Sequence, residues 1–229
     1  MSLLGTAAML LTFDVAPEAV AEHDDWHTHE HLPERLAIPG FLRGTRWVSS
    51  GAGPRYMVLY EVARLETLAS EAYLARLNDP SPWTRRMMPH YRGMTRSLCT
   101  VACNMGPGMG HFGLLVRYAP PRSDEAALDA WLAREVLPPL PQRPGLSSAH
   151  LLRSGLDAPM TAEQRIRGTD AAVPGAILVT GYREETLAEL ANAELAVTAL
   201  ARRGATGVAA THYRAAHTLT ASDLAPVAR

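Results

Sequence analysis

The pattern W-x-x-x-E-x-L-P-x-x-x-x-x-P-G runs through this chain twice without a gap. Trp26, Glu30, Leu32, Pro33 and Pro39-Gly40 stand 105 residues before Trp131, Glu135, Leu137, Pro138 and Pro144-Gly145, and Leu10 stands as far before Leu115. A second match, Glu66-Thr67-Leu68-Ala69 against Glu185-Thr186-Leu187-Ala188, is offset by 119. One order of matches at two offsets implies a duplicated module whose second copy carries 14 extra residues. The polar segment 156–175, which contains MTAEQRIRGTD, has room for them. Such a chain folds as two like units.

Both copies read as the same run of elements. In the first, AMLLTFDV (8–15) is a buried strand, and residues 17–31 open with Pro17 and early acids, as helices do. Pro33 disturbs that helix and Pro39-Gly40 ends the segment. FLRGTRWVSS, the turn GAGP and RYMVLYEV form a hairpin. A helix covers 65–78, the Pro-rich stretch 79–93 is irregular, and 94–103 is the closing strand. The second copy repeats this with strands at 112–118, 146–153, 176–182 and 206–218 and helices at 124–137 and 185–203. The order predicts an α+β chain of tandem ferredoxin-like βαββαβ modules, 1–105 and 106–229, each an antiparallel sheet with its helices on one face. Each sheet leaves its other face bare. Two sheets in one chain can cover each other and close into one intramolecular α+β barrel, which also removes the edges. Such a barrel needs no second chain, so a monomer or a homodimer of barrels is expected.

Composition sets the remaining bounds. With 47% hydrophobic and 20% charged residues the chain can build a core, and a net charge of −1 without a basic block argues against nucleic acid as a partner. The apolar start MSLLGTAAMLLTFDV has no Lys or Arg ahead of it, which makes a poor signal peptide, and no run is long enough to span a membrane. A cytoplasmic location is expected. Cys99 and Cys103, on one face of a strand, would lie about 13 Å apart, too far for a disulfide. No G-x-G-x-x-G, P-loop, G-x-S-x-G or C-x-x-C is present, so no cofactor is expected from motif.

The residues Trp26…Glu30-His31-Leu32-Pro33…Pro39-Gly40-Phe41, with the tandem order of elements, resemble the dimeric α+β barrel superfamily. Within it the chain looks most like the EthD-like proteins, whose helix carries a histidine several residues before a Pro-Gly turn. The resemblance covers nearly the whole chain for fold and about residues 26–61 for motif. The superfamily includes cofactor-free monooxygenases, polyketide cyclases, muconolactone isomerases and haem-binding enzymes. The likeness therefore implies a fold more firmly than a reaction.

The segment EHDDWHTHEHLPER admits three readings. His23, His27 and His31 recur every four residues and share a helix face, while His29 points away. They can be a polar face without chemistry. They can serve as general acid and base on a small apolar substrate, with His31 first and His27 second. At the C-terminal end of its helix, His31 would be favoured in its protonated form by the dipole. The resembled family also places its histidine here. Thirdly, His27-x-x-Glu30-His31 matches the H-x-x-E-H of some zinc peptidases, but Pro33 follows, no third ligand is identifiable, and the Glu recurs in the second copy without either His. No metal is assigned, and haem is a lesser variant. The repeat weighs the rest: the second copy has Leu132 for His27 and Val136 for His31. Residues common to both copies lean towards packing, and residues private to one lean towards function.

Around the helix, Tyr56 and Tyr60 share one face of their strand, and Tyr60 and Arg46 are placed to orient a polar substrate group. Trp83 and His90 lie in a stretch long enough to form a lid or wall. Thr161 and Gln164 fit a capping box that opens a short helix in the insertion, which could cover a pocket. The pocket itself is expected in the first copy, between helix 17–31 and strands 40–50 and 55–62, with a small-molecule ligand touching His31 and not Val136.

Overall fold

A computed structural model describes residues 2–121, 125–156, 160–168 and 170–224. In chain order its strands are β1 (Ala7–Val15), β2 (Phe41–Ser49), β3 (Tyr56–Val62), β4 (Tyr91–Met105), β5 (Phe112–Ala119), β6 (Leu146–Ser154), β7 (Gly175–Gly181) and β8 (Thr206–Thr220). Its α-helices are α1 (Val20–Trp26), α2 (Leu32–Leu36), α3 (Glu71–Asn78), α4 (Pro82–Met87), α5 (Glu125–Trp131), α6 (Ala162–Arg167), α7 (Glu184–Asn192) and α8 (Val197–Ala201).

The strands close into an antiparallel barrel in the order β1-β3-β2-β8-β5-β7-β6-β4. Each copy contributes one ferredoxin-like sheet, β4-β1-β3-β2 and β8-β5-β7-β6, and the seams β2–β8 and β4–β6 join them. The register carries both sequence offsets. Met9 faces Tyr60 and Leu114 faces Val179, so β1 maps to β5 at 105 and β3 to β7 at 119. The extra residues therefore fall in the β6–β7 connection.

Alternation along the strands sorts side chains into three cores. Ala8, Leu10, Trp47, Met57, Leu59, Leu115 and Leu178 fill the barrel interior. Met9, Leu11, Tyr56, Val58 and Tyr60 point outward under the first copy's helices, and Leu114, Val116, Ile177 and Val179 do so in the second. The cysteines are free thiols, but they do not share a face. A bulge between Val101 and Cys103 reverses the alternation, leaving Cys99 in the barrel interior and Cys103 in the second outer core.

The first helix does not stop near Pro33. His27–His31 form a π-helical turn in which the Leu32 N–H reaches the His27 carbonyl, and α2 continues to Leu36. The second copy has the same widened turn at Leu132–Val136, with Leu137 N–H on the Leu132 carbonyl at 2.9 Å. Pro33 and Pro138 follow these turns. A proline lacks the N–H of an α-ladder and crowds the carbonyl four residues back, and a π turn lets the helix pass it. The stretch 79–93 is likewise more ordered than expected. Ser81 caps α4 by accepting the Thr84 N–H, and Pro82 opens that helix.

The matched Pro-Gly and Glu-Thr-Leu-Ala segments meet in space. Gly40 and Gly145 both take positive φ, +92° and +99°. A Cβ on Gly40 would lie 2.9 Å from Thr67, and one on Gly145 would collide with Thr186 Oγ1. The shared residues are thus two halves of one packing contact, made once per copy. Gly145→Ala should lower the unfolding free energy by about 2–3 kcal/mol through strain and clash. Gly51→Ala, with nothing near its Cβ, should stay within about 0.5 kcal/mol. Urea denaturation of the two variants checks the contrast.

Candidate functional site

The widened turn and the helices on either side carry His23, His27, His31 and Arg35 on one stripe, four residues apart, and all four are buried against the sheet. At the 105-residue offset the second copy has Leu128, Leu132, Val136 and Leu140, also buried. The module's packing therefore calls for an aliphatic stripe here, and one copy fills it with four ionisable groups. An ionised group in such a place costs several kcal/mol unless it is paired, which marks this stripe as the candidate site.

Each side chain on the stripe has a defined neighbour. His23 Nε2 is 3.2 Å from Tyr91 OH, and His27 Nε2 is 3.4 Å from Tyr60 OH. His31 lies against the Trp26 ring with centroids 4.3 Å apart, and 5.7 Å from His27. The Nδ1 atoms of His27 and His31 are buried without a hydrogen-bond partner. Arg35 Nη2 donates to Glu163 Oε1 at 2.5 Å, and both side chains are buried.

His31 and Arg35 open onto a cavity of about 30 Å³, room for about two waters. Met9, Leu11 and Met94 floor it from β1 and β4, with Tyr60 from β3, while Tyr73 and Leu77 of α3 form a side. Its roof is α6, which presents Glu163, Gln164 and Arg167. The Thr161–Gln164 capping box starts this helix, and the Ala162 N–H donates to Asn78 Oδ1 at 3.0 Å. Because β6 pairs with β4, the long β6–β7 connection leans across the seam onto the first copy.

The sequence-predicted residues divide into three places. His31 and Tyr60 line the cavity, and His27 stands behind them. Arg46 and Tyr56 do not line it; both hold Asp24, Tyr56 OH donating to Oδ1 at 2.9 Å and Arg46 Nη1 to the backbone carbonyl at 3.0 Å. Trp83 donates to Glu22 on the outer surface, and His90 is half-exposed, its carbonyl accepting the Ala16 N–H. The expected floor of β2 and β3 is instead mainly β1, β3 and β4, because the insertion arrives from the β4 side. Glu30 Oε1 receives Trp26, Ser81 and Thr84, so the acid of the H-x-x-E-H match is already engaged. A haem macrocycle does not fit the volume beside His31. Arg35, Arg96, Glu163 and Arg167 were not anticipated. Arg35 alone had a signal, as the next step of four from His31 with Leu140 opposite it in the other copy.

Electrostatics reverses one expectation. His31 sits inside the helical run and not at its C-terminus, so no terminal dipole favours its cation. Burial, then the charge on Arg35, hold its pKa well below the usual 6.5, and burial does the same to His27. Both imidazoles are neutral at pH 7. Burial drives the Tyr60 phenol up, so it stays a neutral donor. In the unfolded chain these histidines take up protons near pH 6.5, while in the folded chain they do not. Stability therefore falls as the pH drops below 6.5. His27→Leu, which restores the residue of the second copy, should flatten this acid limb. The gain is at most about 2 kcal/mol at pH 5 for an imidazole that stays neutral in the fold, as read from thermal unfolding at pH 5 and pH 8.

No family model and no curated protein matches the chain significantly by sequence. Solved structures do match by fold. An anthrone oxidase-like protein superposes with a TM-score of 0.63 at 15% identity over 100% of this chain and 99% of its own. Candidate monooxygenases from Fusobacterium nucleatum and Lactobacillus acidophilus give 0.59 and 0.57 at 5% and 8% identity. Each covers 95% of this chain, and 96% and 97% of its own. What the chain shares with these structures is the ferredoxin-like α+β barrel. Among the described residues no helix is long and apolar enough to cross a membrane.

Proposed function

We propose that the protein is an enzyme that moves a proton on a small, largely apolar molecule, with His31 as the general acid/base. The observation that carries this reading is the ionisable stripe: an aliphatic core in one copy is replaced in the other by buried, neutral histidines, and His31 alone among them lines the cavity. A neutral imidazole accepts a proton from an acidic C–H or a phenol, and its conjugate acid returns it. Isomerisation or cyclisation needs no more than that. In a monooxygenase the same deprotonated substrate would react with dioxygen as co-substrate. His27 positions the Tyr60 hydroxyl, which donates to a polar atom of the substrate, while Arg46 and Tyr56 act at one remove by fixing Asp24 and the start of the helix. The fold shared with the anthrone oxidase-like protein and the EthD-like motif around His31 support this choice of chemistry.

A non-catalytic binding or structural role is the competing reading, and the small volume of the cavity favours it. The two separate in a thermal-shift screen of small lactones, phenols and polyketide fragments, followed by a test of each hit for deuterium uptake at carbon from D2O. Enzymatic uptake that falls by about 10²–10⁴-fold in His31→Ala is expected for the acid/base role. Hits that bind without exchange, or exchange that is unchanged in His31→Ala, would leave the binding role in its place. The assembly is proposed as a monomer or a homodimer of barrels in the cytoplasm, readable by light scattering and fractionation.

A further inference from the structure

The pairing of Arg35 is incomplete. Its side chain is buried and stays charged at any ordinary pH. Only Nη2 meets Glu163, whereas Nη1 is buried with no hydrogen-bond partner, and Glu34 Oε2 is 4.0 Å from it. A guanidinium edge offers two parallel N–H groups to one carboxylate, and here one of the two is unused. The partner it does have is also unusual. Glu163 comes from the six-residue helix α6, in the connection that the first copy's own hairpin lacks, and takes no part in the barrel.

The rest of the cavity has a consistent chemistry. Arg96 and Arg167 also line it, Arg167 already paired with Asp170, so cations outnumber the single acid there. Met9, Leu11, Leu77 and Met94 make the remaining surface apolar, with Tyr60 and Tyr73 beside them. The space holds about two waters, so a larger ligand needs the cleft to widen, and α6 is the wall that takes no part in the barrel. Displacing α6 removes Glu163 and leaves Arg35 without a hydrogen-bonded acid, the Glu34 carboxylate standing 4.0 Å away.

We infer that Glu163 stands where an acidic group of the ligand binds. The molecule this site takes carries a carboxylate, which pairs with Arg35 when α6 lifts, on an apolar body that occupies the space between the sheet and α3. This rests on the reading of the His31 cleft as a ligand site and adds the ligand's charge. Arg35 is one step of four along the helix from His31, so the carboxylate anchors the molecule with its body beside the imidazole.

The test compares benzoate with its neutral isostere benzamide by titration calorimetry. Glu163→Gln keeps the shape of the lid and removes the competing charge. Benzoate should bind this variant about tenfold more tightly than the parent, as expected for a freed charge-assisted pair, while benzamide changes by less than twofold. Arg35→Gln with Glu163→Gln, which leaves no charge unpaired, should abolish the preference for benzoate. Equal binding of benzoate to parent and Glu163→Gln, benzamide binding as well as benzoate, or no binding of either at millimolar concentration would each overturn the inference. Should Glu163→Gln not fold, hydrogen exchange on the parent decides. Benzoate must speed exchange across residues 160–168, and unchanged or slowed exchange there counts against it. Carbon exchange is read on hits of the screen with His31→Ala, and the preference for benzoate over benzamide on the Arg35 and Glu163 variants, so the failure of the acid/base role and the failure of the carboxylate anchor give different results.

Discussion

The pairing of β4 with β6 is the interaction on which the rest of the molecule depends. With β2–β8 it turns two half-covered sheets into a barrel without edges. It also decides what lies over what. The β6–β7 connection starts from the strand beside β4 of the other copy, which puts its extra residues within reach of the first copy's helices, where α6 meets Asn78 and Arg35. Without that seam there would be neither a common interior nor a roof over His31.

Beneath that roof the two copies differ at one register of one helix. Leu128, Leu132, Val136 and Leu140 give the second copy an aliphatic contact, worth about 1.5–3 kcal/mol for each side chain buried. His23, His27, His31 and Arg35 give up part of that contact, and burial disfavours the protonated forms of His27 and His31. Their partners reduce the cost: Tyr91 for His23, Tyr60 for His27, Trp26 stacked on His31, and Glu163 opposite Arg35. Three of these partners come from the first copy, and the fourth from the second.

The fold was legible in the sequence because the evidence for it is local and repeated. Two offsets, a Pro-Gly turn and alternating strands fix the order of elements, and pairing follows from burial. Even the matched Thr67 and Thr186, which looked like part of an arbitrary string, prove to pack on Gly40 and Gly145. The continuation of the helix past Pro33 was not legible, because a π turn has no composition of its own. The faces of Cys99 and Cys103 were hidden by a bulge that depends on β6. At the site, Tyr60 could be placed beside the helix from strand alternation alone. Glu163 could not be placed against Arg35, since 128 residues separate them and nothing local says which way a hairpin connection leans. Arg46 and Tyr56 had the right faces, but Asp24 lay within their reach.

The two π turns hold a further consequence. They occur at equivalent places, Leu132–Val136 with its buried stripe aliphatic and His27–His31 with its buried stripe ionisable. The irregularity is therefore a property of the inherited backbone and not a distortion imposed by chemistry. A fused pair of modules divides labour in a way that two identical subunits cannot: one half keeps the ordinary packing and bears the stability, and the other is free to lose some of it. Changes on the second copy's stripe should trade in folding alone, and the first copy's stripe is where selection can alter chemistry without touching the scaffold.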